Sequence, residues 1–153
     1  MKVIRTIATF IVFLSMAFIL TCGEEKTTSL EGNEDIVAVL EKIPECMDNS
    51  ETAMEIYTDD AILMFQDPTT MDMVKLIGPK EIGLYRRETG KDRSIIRVSI
   101  NNIVREADTA HVKFKVTIQY SQNPGLEWDL NCSAEMVKEG QTWRIKKETV
   151  EHT

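Results

Sequence analysis

Apolar and polar positions follow four successive patterns along this chain. Lys2 and Arg5 precede an almost unbroken apolar run, Ile7 to Leu20, which stops at Thr21 and Cys22. Gly23 to Asn33 is polar and has no period. From Glu34 to Met47 the spacing is helical: Ile36, Val39, Leu40, Ile43 and Met47 share one face, with Glu41, Lys42 and Glu45 pointing away. Pro44 lacks an amide donor and is expected to kink or shorten this helix near its end. Ser50 can cap a second helix running to Tyr57, with Ala53, Ile56 and Tyr57 as its buried face. From Arg93 onward the period is two. Ile96, Val98 and Ile100 make one row, and Val112, Phe114, Val116, Ile118 and Tyr120 a second. Trp128, Leu130, Cys132, Ala134 and Met136 make a third, and Trp143, Ile145 and Lys147 follow. Ile103 falls on the other parity, which predicts a bulge at Asn101-Asn102. Gln122-Asn123-Pro124-Gly125 and Glu139-Gly140 predict turns.

Ile56 to Glu88 joins the helical part to these strands. Tyr57-Thr58-Asp59-Asp60-Ala61 reads as the close of a helix, because the two carboxylates can bond nearby backbone amides. Ala61 to Phe65 and Met73 to Ile77 read as short strands, separated by a break at Asp67-Pro68. Gly78-Pro79 opens a helix with proline at its first position. Ile82 and Tyr85 share one face of it, and Gly90 is a plausible C-terminal cap. Helices followed by an antiparallel meander give an α+β fold with one sheet face covered.

Three of these features carry a resemblance. Tyr57-x-Asp59-Asp60-Ala61, a strand ending in Asp67-Pro68, and Gly78-x-x-x-Ile82 with Tyr85 after it resemble the nuclear transport factor 2-like superfamily. Ketosteroid isomerases and the SnoaL-like polyketide cyclases belong to that group. The resemblance runs from Glu34 to the C-terminus and implies a strongly curved antiparallel sheet wrapped around N-terminal helices, a cone with an apolar pocket. It specifies fold better than function, since many chemistries share this scaffold.

The resemblance also implies a catalytic candidate. In the isomerases an Asp-Pro at this strand end supplies the general base, which makes Asp67 the candidate here. A carboxylate at the mouth of an apolar pocket can move a proton beside a carbonyl. The family's spacing, counted from Asp59-Asp60-Ala61, lands on Phe65 instead. The positions matching the isomerase's hydrogen-bond donors hold Glu41 and Ala134, so the oxyanion partner is missing. The inward residues Phe65, Tyr57, Tyr85, Phe114, Ile118, Tyr120, Trp128, Leu130 and Met136 are expected to line a pocket for an apolar or aromatic guest. A non-catalytic domain binding a small apolar ligand or a partner protein is therefore the leading expectation. An enzyme using Asp67 and a structural homodimer formed through the outer sheet face are the alternatives.

Charge and cysteine usage set the surroundings. The net charge is −7, and loss of the segment holding Lys2 and Arg5 takes it two further, to −9. That argues against nucleic acid as a partner. Residues 1–21 read as a bacterial lipoprotein signal peptide, 22–33 as a flexible tether and 34–153 as the domain. Cys22 is then the lipidation site, although Thr21 is bulkier than the small residue usual there. An uncleaved anchor and ordinary secretion are the other readings. The location implied is the bacterial cell envelope, lipid-anchored to a membrane, with the domain outside the cytoplasm. Export makes a bridge between Cys46 and Cys132 permissible, with two separate buried thiols as the alternative. His111 lies on an outward parity and His152 is nearly terminal, so neither a metal nor another cofactor is expected.

Overall fold

The computed structural model describes residues 30–151. Cys22, the apolar run before it and most of the tether lie outside the described residues. The elements in order are α1 (Glu34–Leu40), a 3-10 turn (Pro44–Met47), α2 (Thr52–Ile56), β1 (Tyr57–Gln66), β2 (Met73–Ile77), α3 (Pro79–Thr89), β3 (Arg93–Glu106), β4 (Thr109–Tyr120), β5 (Asn123–Glu139) and β6 (Thr142–Glu151). The strands form one curved sheet in the order β2-β1-β6-β5-β4-β3. The α+β class with helices on one face is as expected, with one correction. The β1–β6 pair is parallel, so the sheet is mixed. Pairing strands that neighbour one another in sequence cannot reveal that the first strand lies beside the last.

Several local expectations change with physical cause. Pro44 does end the first helix: α1 stops at Leu40 and the chain tightens into a 3-10 turn. Ser50 does not cap α2; Glu51 stands at its N-cap, and Asn49 Oδ1 accepts the Glu51 amide at 3.0 Å. Tyr57 to Ala61 is strand instead of turn. β1 already pairs with β6 at Tyr57, and the register shift before Ile62 leaves Asp59 and Asp60 exposed at an irregular strand edge. Gly78 has φ +84°, a left-handed conformation that suits glycine at the entry to α3. Gly90 has φ −63°, so it is no left-handed cap. Its missing side chain instead admits the Met47 carbonyl, which a Cβ would meet at 2.5 Å.

Bulges decide which side chains face inward. The ladder skips Ile96 and Asn101 on β3, the second as expected. The first shift turns Ile95 inward and leaves Ile96 exposed. On β5 the pairing passes from Glu127 to Asn123, so Pro124, Gly125 and Leu126 bulge within the strand and the turn itself is Ser121-Gln122. On β6 the ladder skips Lys146, and the inward row passes from Ile145 to Glu148. Lys147, expected inward, lies on the opposite face 3.5 Å from Glu135.

The core lies between the leading helices and the concave sheet face. Ile36, Leu40, Ile43 and Ile56 pack with Phe114, Met136, Trp143 and Ile145. Each such side chain contributes about 1.5–3 kcal/mol by leaving water. Trp143 Nε1 donates to Asp35 Oδ2 at 2.8 Å, which pins α1 to β6. The outer face is polar along β3 to β6: Arg97 pairs with Glu127, Lys115 with Asp129 and Lys147 with Glu135 across strands. Exposed apolar side chains include Ile96 and Val104 on β3 and Met71, Met73 and Ile77 at the β2 end.

Candidate functional site

The helices leave part of the concave face uncovered, and a chamber of about 60 Å³ sits there beneath α3. Leu63 and Phe65 of β1, Ile118 of β4, Leu130 of β5 and Val150 of β6 supply its apolar walls. Tyr85 closes it from α3, its ring stacked on Phe65 with centroids 4.6 Å apart. A wider groove of about 550 Å³ adjoins it, holding Tyr120, Leu126 and Trp128. Pro68 and Arg93 line both spaces and mark the neck between them.

The polar floor of the chamber is a buried triad. Arg86 Nη2 donates to Glu148 Oε1 at 2.7 Å and Oε2 at 2.8 Å, and to the Tyr57 hydroxyl at 2.9 Å. Tyr57 in turn donates to Glu148 Oε2. Each group has an α-helical or strand reason for its place. Arg86 is one turn beyond Ile82 on the inward face of α3. Tyr57 opens β1, and Glu148 reaches the interior only because of the Lys146 bulge. Burial pushes the Tyr57 hydroxyl well above its ordinary pKa; Arg86 opposes that shift and Glu148 adds to it. Burial works against the Arg86 charge, but Glu148 and Tyr57 more than offset it and raise its pKa. Arg86 Nε is buried with no partner among the described residues. A buried ion pair of this kind is costly to desolvate and costlier to break.

The expected pocket residues separate into groups. Phe65, Tyr85, Ile118 and Leu130 line the chamber. Tyr57 is wholly buried and presents its hydroxyl to the triad. Phe114 and Met136 are not pocket residues: both are core, because α1 and the 3-10 turn cover that part of their strands. Tyr120 and Trp128 keep the inward parity but lie beyond the helices, and Trp128 is 53% exposed in the groove. Asp67 is not poised as a base. Its Oδ1 accepts the Thr69 amide at 2.7 Å and the Thr70 amide at 3.1 Å, and these bonds hold its carboxyl below the usual range. It caps the β1–β2 turn. Cys46 and Cys132 are both buried and unbridged. Burial pushes the Cys46 thiol to about 11 and the Cys132 thiol higher still. Among the described residues no cluster of three metal-ligating side chains occurs.

Arg86, Glu148 and Arg93 carry the charge of the site, and sequence reasoning passed over all three. Arg86 had a signal, its helical register with Ile82. Glu148 had a weaker one, its shared parity with Val150, which matters only once Lys146 is known to bulge.

No family model matches the chain, and no curated protein does. Solved structures match it by shape. A domain of unknown function with a cystatin-like fold from Nostoc punctiforme superposes with a TM-score of 0.66 at 11% identity, covering 79% of this chain and 76% of that one. A nuclear transport factor 2-like protein of unknown function from Shewanella oneidensis gives 0.59 at 12%, covering 78% and 98%. A hypothetical protein with a ketosteroid isomerase-like fold from Catenulispora acidiphila, in complex with trimethylamine, gives 0.55 at 10%, covering 75% and 85%. At these identities the likeness is one of fold: this chain has the nuclear transport factor 2-like cone.

Proposed function

We propose that this chain is a lipid-anchored binding domain of the bacterial cell envelope, which holds a small apolar molecule and does not turn it over. The observation that carries the binding reading is the chamber itself. Its walls are apolar, and the one carboxylate in its lining, Glu148, is already engaged by Arg86 and Tyr57. A general base must reach a substrate proton within hydrogen-bond distance. Asp67 is occupied by its own turn, and no free carboxylate replaces it in the chamber lining, Asp92 lying out along the groove. The chamber's 60 Å³ is far below the roughly 300–1,000 Å³ typical of ligand sites, whereas the adjoining groove falls within that range. A guest with a narrow apolar end in the chamber and its wider part in the groove suits both. The trimethylamine held by the Catenulispora protein supports a small guest on this architecture.

Anchoring rests on the apolar run that ends directly at Cys22. Labelling with a fatty-acid probe should be abolished in Cys22→Ala, and unchanged labelling refutes the anchor. For binding, native mass spectrometry of the full chain released from membranes should reveal a copurifying small molecule. Ile118→Trp, which fills the chamber, should remove it. An adduct indifferent to that substitution overturns binding in the chamber, and turnover of a substrate that Asp67→Asn abolishes overturns the non-catalytic reading.

A further inference from the structure

Resting on that binding reading, we infer that the guest carries one carboxylate, received by Arg93 at the neck between chamber and groove. The charges of the site lead to it. Arg86 and Glu148 neutralise each other at 2.7 Å on the chamber floor. That leaves Arg93 as the remaining full charge in the chamber lining. Among the described residues, no carboxylate lies within 4.0 Å of its guanidinium. The acids nearby are otherwise placed. Asp92 lies out along the groove, Asp67 is held by two turn amides, and Glu148 is engaged. Tyr85, beside Arg93, is a neutral phenol whose pKa burial raises and Arg93 draws down. The donor excess extends inward, since the described bonds of Arg86 all run through Nη2 and its Nε has no described partner.

A guanidinium matches a carboxylate through two parallel hydrogen bonds, and a half-buried one is screened less than one on open surface. The chain as a whole is acidic, at −7. Its field repels small inorganic anions, so an anion that stays must gain from apolar burial too. Phe65 and Ile118 in the chamber and Trp128 in the groove provide that burial on either side of Arg93. The class selected is a small monocarboxylate with an apolar chain or ring.

The test uses the full chain held in lipid nanodiscs, with empty nanodiscs as blank, titrated calorimetrically with hexanoate and with 1-hexanol. Hexanoate should bind at least about tenfold more tightly at low salt. That preference should shrink as salt rises from about 20 mM to about 500 mM, as the Debye length contracts. Arg93→Gln should abolish the preference, bringing hexanoate down to the affinity that the same variant shows for hexanol. Hexanol binding as well as hexanoate overturns the carboxylate inference while the pocket stands. A preference that survives Arg93→Gln also overturns it. If neither compound binds, the binding reading falls and the inference falls with it.

Discussion

Arg86 shows what one substitution does when a charge is buried on purpose. Arg86→Met leaves Glu148 in the interior without its partner, and should cost about 3–5 kcal/mol, read as a fall in thermal midpoint. Adding Glu148→Met should recover most of that loss, since replacing both members removes the uncompensated charge. No recovery in the double variant means the pair is not the reason for the cost. The thiols provide a second prediction. Burial raises the Cys46 pKa from 9.0 to about 11, so the fold favours the neutral thiol. That contribution is complete below pH 9 and is lost as pH rises toward 11. Cys46→Ala should therefore flatten the pH dependence of stability across that window. Native protein at neutral pH should alkylate slowly at Cys46 and Cys132 and completely once unfolded. Protection that persists in denaturant without reductant reveals a bridge. At this scale the sequence was legible for apolar residues and silent on polar ones. Phe65 and Ile118 announce burial by pattern, whereas Glu148 is indistinguishable from a solvent-facing acid until its strand's register is known.

Between elements the tightest joints are backbone approaches permitted by glycine. A Cβ on Gly83 would lie 2.3 Å from the Ser50 carbonyl oxygen, and α3 would have to lift off the α2 entry. Gly83→Ala should destabilise by about 1–3 kcal/mol through overpacking. Because α3 carries Tyr85 and Arg86, the same change should loosen the chamber, visible as faster amide exchange along α3. Gly140→Ala is the control: it has φ +65° with nothing within 4 Å, so its cost is local strain without movement of α3. Elements were readable where period and punctuation agree. Met73–Ile77 and the proline-led α3 came out of the sequence with their bounds nearly intact. The bulges at Ile96 and Lys146 did not, because a skipped residue inside a continuous strand leaves no proline or glycine behind.

For the whole molecule, the α+β cone was legible and the order of its strands was not. Local patterning speaks of each strand's faces, and says nothing about which distant strand completes the sheet. Here β6, the last described strand, lies between β1 and β5 with β1 running parallel to it. Tyr57 and Ile62 find their partners at Ile145 and Lys147, far along the chain. Such non-local pairing is slow, because loop closure must precede any reward. The order of synthesis therefore matters. While the chain emerges from a ribosome, β1, β2 and the helices wait without the strand that joins them to β3, β4 and β5. Arrested nascent chains that expose everything up to Glu139 should remain protease-sensitive, with protection arriving abruptly once β6 is out. Gradual protection, beginning when β1 and β2 appear, refutes this. A chain built this way keeps its two halves unjoined until β6 has emerged, so the cone closes in a single step instead of growing strand by strand.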